Sequence, residues 1–201
     1  METAKKKWSF SEGLFSHNPV FAAGMSLAPA VIIANTLDGA ATYAAVFASV
    51  TLMSLLISSF LPRKLPYALR IVLYTIIAAA VYIPFCIYYE GQLEYDLTKL
   101  GVFLPMIVSG EFITRVSELR FFRMDKPTMI LDVISHIMGF CWAVILLGFV
   151  RELLSTGGID GTLYGVGFTI PILNAPCGGF ILIGLMGAFI RSFRKEGHNN
   201  E

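Results

Sequence analysis

The sequence predicts an all-α integral membrane protein with six transmembrane helices, built as two inverted repeats of three helices. Composition is the first indication, because 56% of the 201 residues are hydrophobic and only 14% are charged. The mean hydropathy of +0.70 exceeds that of a soluble domain of this length. The second indication is six apolar stretches near the roughly 20 residues that cross a bilayer. The third is that two of these stretches contain proline at matching places, Pro29 and Pro105.

The six predicted spans leave almost no chain for a soluble domain. They cover, approximately, residues 19–37, 40–61, 67–89, 98–116, 129–150 and 165–192. We expect one membrane domain over 19–192, with its repeats at about 19–89 and 98–192. It is flanked by a cytoplasmic N-terminal arm over residues 1–18 and a cytoplasmic tail over 193–201.

Positive charge is concentrated on one predicted side of the membrane. Thirteen of the fifteen Lys and Arg residues fall in, or within four residues of, the arm, the tail and the connections between spans 2 and 3 and between spans 4 and 5. The other side has only Lys99 and Arg151, and we expect Arg151 and Glu152 to anchor span 5 at the outer interface. Loops rich in Lys and Arg stay in the cytoplasm. Both termini are therefore predicted to be cytoplasmic, in a bacterial-type inner membrane, and a net charge of +1 indicates no nucleic-acid partner.

Spans 1 and 4 are predicted to be broken helices. Span 1 contains Ala28-Pro29, and span 4 contains Pro105 followed by Gly110-Glu111. Proline removes a backbone donor and interrupts a helix. Two interrupted spans at corresponding places indicate inverted repeats with a working site at the membrane midplane. The candidate midplane site comprises Ala28, Pro29, Pro105, Gly110 and Glu111, with Glu111 in the protein interior beside the first two.

Two groups of ionisable residues have alternative interpretations. A carboxylate at Glu111 near mid-membrane is costly and usually functional, but it would also suit the positive end of a broken half-helix. Asp132 and His136 lie four residues apart, on one helical face, as an ion or proton relay would require. The simpler alternative is that Asp132 stabilises the start of span 5 through the helix dipole.

The cysteines are predicted to be small buried hydrophobic residues, and no metal site is expected. Cys86, Cys141 and Cys177 show no CxxC-type spacing and lie singly in apolar spans.

Several motifs, in order, carry a resemblance to a known family. The most specific are the stretches 146–153 (LLGFVREL) and 175–180 (APCGGF). Weaker ones are 104–108 (LPMIV) and Leu131-Asp132. Together they resemble the Rnf/Nqr membrane subunits, most of all the E-type subunit of Rnf and the D-type subunit of Nqr. The similarity covers nearly the whole chain from Asn18.

The resemblance implies a subunit of a complex that links NADH or ferredoxin oxidation to Na⁺ or H⁺ transport. In the family, this subunit and a paralogue of inverted topology each contribute two cysteines to one [2Fe–2S] cluster, which takes four thiolates. The family's two cysteine positions correspond here to Ala28 and Glu111. The resemblance therefore implies the scaffold without its cluster ligands, and no cofactor bound by this chain alone.

Three functions remain open at this point. The chain is a subunit of an Rnf/Nqr-type complex without its own iron–sulfur ligands, or a small inverted-repeat ion or proton transporter or channel that uses Glu111, or a purely structural subunit.

The predicted topology can be tested by cysteine accessibility. Single cysteines introduced within residues 90–99 and 156–162 should react with a membrane-impermeant reagent from the outer side, because the charge distribution places both loops there. Cysteines within residues 120–126 should react only after the membrane is permeabilised. Labelling of either outer loop from the cytoplasm would contradict the orientation.

Overall fold

The computed structural model describes residues 18–21, 24–62, 64–92, 97–120, 126–159, 162–163 and 169–198. This part of the chain is almost entirely helical. Most of the predicted arm lies outside the described residues, as do the last three residues of the predicted tail.

Six α-helices form the framework of the described part of the chain. They are α1 (Leu27–Ile33), α2 (Leu37–Ser58), α3 (Tyr67–Gln92), α4 (Glu111–Arg120), α5 (Lys126–Thr156) and α6 (Pro176–His198). Short 3-10 helices precede α4 (Leu97–Phe103 and Pro105–Ile107) and α6 (Pro171–Asn174). A small antiparallel pair, β1 (Gly158–Ile159) and β2 (Thr162–Leu163), follows α5.

The described helices confirm a membrane protein but not six complete spans. Three stretches are long and apolar enough to cross a bilayer: Leu37–Ser58, Tyr67–Gly91 and Pro127–Thr156. A fourth span is formed if Leu97–Phe103 and Pro105–Glu118 are counted together, although they are bent by 46°. The seven residues of α1 reach only about 10 Å, a third of the roughly 30 Å hydrocarbon core. The apolar part of α6, Pro176–Ile190, is also shorter than a full span.

Helices α2 and α5 form the antiparallel centre of the bundle. The start of α2 lies beside the end of α5, because the Leu37 amide donates to Glu152 at 2.6 Å. Further along, Cys141 Sγ donates to the Ala44 carbonyl at 3.4 Å. This pairing fixes the position of every residue between these contacts along the long axis of the bundle, which we call its height.

An aromatic cluster of Phe47, Phe112 and Phe140 joins α2, α4 and α5 at mid-height. The rings of Phe47 and Phe140 stack with centroids 3.9 Å apart, and Phe112 packs edge-on against Phe47 at 5.3 Å. All three side chains are buried. Because Phe47 and Phe140 lie close to the middle of their helices, the cluster marks the middle of the bundle.

Close packing of α2 against α5 depends on a glycine. A Cβ atom at Gly148 would lie 2.5 Å from Ala40 Cβ and 2.9 Å from the Thr36 carbonyl oxygen. Small residues of this kind let helix backbones approach closely in a membrane. In contrast, Gly184 in α6 has no atom within 4 Å of the corresponding position.

We therefore expect Gly148→Ala to lower the thermal midpoint of the purified protein, and Gly184→Ala to leave it unchanged or slightly raise it. The first change overpacks a tight contact, which costs about 1–3 kcal/mol. The second replaces glycine in an open helical position, which gains up to about 1 kcal/mol. Thermal unfolding in detergent measures both, and equal midpoints for the two variants would contradict this packing.

Candidate functional site

The first helix break lies before α1, in the turn at Gly24 and Ser26. Both residues have left-handed backbone angles, with φ of 66° at Gly24 and 53° at Ser26. A positive φ is uncommon for serine, so this turn is a constrained point of the chain. Helix α1 begins immediately after it, at Leu27.

Both prolines lie in the first turn of a helix. Pro105 directly follows the 46° bend between Leu97–Phe103 and Pro105–Glu118, as predicted, whereas the turn in span 1 lies three residues before Pro29. Pro29 is the third residue of α1, and Pro105 is the first residue of a 3-10 helix. First-turn N–H groups have no intrahelical partner, so proline loses nothing there. In span 1 the break precedes Pro29, and in span 4 the chain bends directly before Pro105 and is irregular again at Gly110.

Span 4 is interrupted again at Gly110, after the bend before Pro105, and α4 begins at Glu111. A Cβ at Gly110 would lie 3.1 Å from the Ile107 carbonyl oxygen and 3.5 Å from Ser26 Oγ. The two helix breaks therefore touch each other directly.

A cavity of about 300 Å³ lies where the breaks meet. Four of the five residues predicted for the site line it, namely Ala28, Pro29, Gly110 and Glu111. Pro105 does not line it. The other lining residues are Gly24, Ser26, Leu27, Met106 and Ser109. The side chain of Glu111 is exposed, so this residue lies beside Ala28 and Pro29 as expected but not in the interior of the chain.

The cavity lies at mid-height of the bundle. Glu111 directly precedes Phe112, whose ring belongs to the central aromatic cluster. On the other side, Asn18 donates from Nδ2 to the Gly139 carbonyl at 2.8 Å, near the middle of α5. The chain therefore enters α1 from the middle of the bundle, and α1 occupies only one half of its height.

Arg151 is the main structural residue that the sequence interpretation missed. Its guanidinium is buried and donates to five backbone carbonyls. Nη1 binds Val31 and, at 2.9 Å, Ala34. The remaining bonds join Nε to Leu173 at 2.9 Å, and Nη2 to Asn174 at 3.0 Å and Ala175 at 3.3 Å. The expectation that Arg151 and Glu152 anchor α5 at the outer interface is wrong, because both are buried.

The five bonds use all five N–H donors of the guanidinium. The Val31 carbonyl is available because the Asn35 amide donates to Ile33 instead, whereas the Ala175 carbonyl also accepts from the Gly179 amide at 3.3 Å. The end of α1 carries the negative end of its dipole, which stabilises the charge of Arg151. The absent side chain at Gly179 leaves room for Arg151, since a Cβ there would lie 3.0 Å from its Cζ.

Glu118 fixes the C-terminal end of α4 to α3. Its carboxylate accepts from Arg70 Nε at 2.9 Å and Nη2 at 2.8 Å, and from the Tyr74 hydroxyl at 3.0 Å. A bidentate arginine–carboxylate pair is both strong and directional. These bonds hold α4 in place, and with it Glu111 at the other end of the helix.

Asp132 and His136 lie together, as predicted, but not in the geometry of a direct relay. His136 Nδ1 is 2.8 Å from the Asp132 backbone carbonyl and 3.6 Å from the Asp132 carboxylate. Both side chains are buried. The backbone hydrogen bond therefore uses the nitrogen that faces the carboxylate.

The residues around the cavity do not fit a thiolate-ligated cluster. No cysteine lines it: Cys86 lies in α3, Cys141 in α5 and Cys177 in α6. Among the described residues there is also no group of three or more His, Cys, Asp or Glu side chains that could hold a metal ion. The prediction of buried cysteines is wrong for Cys177, which is exposed.

Comparison with known proteins identifies the scaffold. The model of the family described as "Rnf-Nqr subunit, membrane protein" matches residues 7–189. This chain belongs to the Rnf-Nqr family. The chain is 25% identical, over 96% of its length and 92% of the relative, to the E-type subunit of the proton-translocating ferredoxin:NAD(+) oxidoreductase complex of Clostridium ljungdahlii. It is 28% identical to the D-type subunit of the Na(+)-translocating NADH-quinone reductase of Pseudomonas aeruginosa, over 91% of its length and 85% of the relative.

Replacement of Arg151 tests its structural role. We expect Arg151→Met to cost on the order of 3–5 kcal/mol, because it leaves the buried carbonyls of Val31, Ala34 and Leu173 without this donor. Arg151→Lys keeps the charge but not the planar fork, so an intermediate loss is expected. Thermal unfolding in detergent measures these effects.

The matched control is Arg115→Met, because Arg115 is exposed on α4. It should change the midpoint little. An Arg151→Met protein as stable as this control would contradict the proposed role of the guanidinium.

Proposed function

We propose that this protein is a membrane subunit of an ion-translocating electron-transport complex of the Rnf/Nqr type. The single observation that carries the proposal is the match to family subunits over 91–96% of the chain. The named relatives are subunits of ferredoxin- or NADH-oxidising complexes that translocate protons or sodium ions. With so little chain outside the membrane helices, the redox chemistry in water belongs to partner subunits.

The two helix breaks support an arrangement of two inverted three-helix repeats, with both termini in the cytoplasm. Helices α1 and α4 belong to different halves of the chain, yet both begin at one cavity and each occupies part of the bundle height. The exposed carboxylate of Glu111 at mid-height supports a covering partner, because a carboxylate facing lipid is costly. In our proposal the partner is the paralogous membrane subunit of inverted topology.

We propose that this chain supplies no ligand to the family's iron–sulfur cluster. The resemblance aligns the two missing cysteines with Ala28 and Glu111, and both residues line the cavity. A methyl group provides no ligand, and one carboxylate is not a substitute for two thiolates.

A second function is favoured by Glu111 itself. A carboxylate in a cavity at mid-height can bind an ion or a proton. Such a site would serve a small transporter or channel as well as a subunit of a larger complex. Glu111→Gln should then abolish ion transport in proteoliposomes without loss of the folded protein. Glu90→Gln, at the exposed end of α3, is the control and should transport normally.

The proposed function is tested by purification in mild detergent from native membranes. Co-purification of flavin-bearing and ferredoxin-like subunits together with an inverted-topology paralogue would support it. A homo-oligomer with no further kind of subunit would contradict it and would favour the transporter.

The loss of ligands can be reversed experimentally. Ala28→Cys together with Glu111→Cys should allow a [2Fe–2S] cluster to form when the chain is co-expressed with a family partner that retains its cysteines, because the two positions line one cavity. Iron content and the EPR spectrum of the reduced complex measure this. The parent chain with the same partner should show no such cluster. A stoichiometric cluster in the parent would contradict the proposed loss.

A further inference from the structure

The outward side of α4 carries two charged residues one helical turn apart. Glu111 and Arg115 are both exposed. The side chains of Phe112, Ile113 and Val116 are buried and hold the opposite side of the helix against the bundle. Because residues four apart lie on one face of a helix, α4 presents an acid and a base together to whatever surrounds this chain. We call the side with Glu111 and Arg115 the α4 face.

Both charges lie at the depth of the hydrocarbon core. Helix α4 begins at mid-height, where Phe112 belongs to the aromatic cluster. Arg115 lies about 6 Å further along the helix than Glu111, whereas half of the hydrocarbon core is about 15 Å thick. Arg115 is therefore about 9 Å short of the polar headgroups, and deeper still if the helix is tilted.

The direction of α4 works against extension of the Arg115 side chain to the headgroups. Side chains on a helix lean toward its N-terminus, and the N-terminus of α4 is at the middle of the bundle. The headgroups lie in the opposite direction. Long basic side chains reach the interface from positions near helix ends, but Arg115 is only one turn from the start of α4.

Neither charge is neutralised within the part of the chain that the structure describes. Further along α4, Glu118 is paired with Arg70 at 2.8 Å. Glu111 and Arg115 form no ion pair with each other or with another described residue, although their spacing would allow one. Charged groups inside a membrane are normally paired. We therefore expect another molecule to supply the partners of these two.

A second copy of this chain is not a suitable partner for the α4 face. Copies inserted in one membrane share an orientation, so the twofold axis of a homodimer runs along the membrane normal. Two α4 helices packed about that axis place Glu111 level with Glu111, and Arg115 level with Arg115. Like charges that face each other repel, so a suitable partner carries the opposite charge at each height.

We propose that the α4 face binds an unlike membrane subunit, which presents a basic side chain to Glu111 and a carboxylate to Arg115. The existence of that subunit rests on the proposed function. The cavity beside Glu111, of about 300 Å³, has room for the end of a lysine or arginine side chain. Arg115 and a carboxylate can form two parallel hydrogen bonds, which fix the position of the partner as well as its charge. An ion pair between chains then occupies the place that the resemblance assigns to a cluster ligand.

The test is purification in mild detergent from native membranes in which a tagged variant replaces the wild-type chain. Arg115→Glu should lower the yield of the co-purified membrane subunit about tenfold or more, because two acids then face each other. Glu111→Lys should do the same, because two bases then face each other. Arg115→Lys keeps the charge, so it should retain more of that subunit than Arg115→Glu does.

Two controls separate a lost contact from a lost fold. Lys64→Glu reverses an exposed charge in the connection between α2 and α3, and it should leave the complex intact. Each variant chain is also purified alone, where Arg115→Glu and Glu111→Lys should keep the wild-type thermal midpoint, because both side chains are exposed in the single chain. If either variant fails to fold, a photo-crosslinking amino acid at position 115 provides the second measurement. It should cross-link to an unlike subunit.

The outcomes distinguish this interface from the proposed function. If the wild-type chain co-purifies with other subunits, and Arg115→Glu and Glu111→Lys retain all of them, the proposed function stands and the interface is wrong. A cross-link from position 115 to a second copy of this chain, or to lipid alone, would also overturn the interface. If the wild-type chain purifies only as a homo-oligomer, the proposed function fails and the interface fails with it.

Discussion

The fold around the cavity depends on one buried guanidinium. Arg151 binds the end of α1, the 3-10 turn before α6 and the residue that precedes α6, all through backbone carbonyls. In water such carbonyls would bind solvent, but at membrane depth each needs a partner from the protein. One side chain with five donors therefore lets two irregular segments exist inside the bundle. Its neighbour Glu152 binds the first amide of α2, so consecutive residues of α5 hold both sides of the α1–α2 connection.

The same interaction accounts for two distinctive stretches of the sequence. The segment 146–153 contributes Gly148, which admits α2, together with Arg151 and Glu152. The segment 175–180 contributes the Ala175 carbonyl and two glycines. A Cβ at Gly178 would lie 2.4 Å from the Ile172 carbonyl oxygen, and one at Gly179 would lie 2.7 Å from Val31 Cγ1. These motifs carry the family resemblance, yet the contacts they make in this chain are structural.

Hydropathy and helix-breaking residues predicted the long helices and the meeting of residues 28–29 with 110–111. Three features could not be predicted from local rules. An arginine near a helix end usually reaches the interface, and only the irregular carbonyls opposite Arg151 change that. Proline in a first turn is compatible with helix, so its position does not reveal that the chain also turns at Gly24 and is irregular at Gly110. The hydroxyls of Thr51, Ser54 and Ser58 on α2 are buried without a hydrogen-bond partner among the described residues, and a serine or threonine in the sequence does not reveal this.

The central claim is that Arg151 positions the first helix break against the second. It is tested most directly by disulfide cross-linking of Ser26→Cys with Gly110→Cys in membranes, with Cys86, Cys141 and Cys177 replaced by alanine. A Cβ at Gly110 would lie 3.5 Å from Ser26 Oγ, which is within reach of a disulfide. The account predicts rapid cross-linking when Arg151 is present and strongly reduced cross-linking in Arg151→Met. Equal cross-linking in both backgrounds would show that the breaks meet without the guanidinium, and would contradict it.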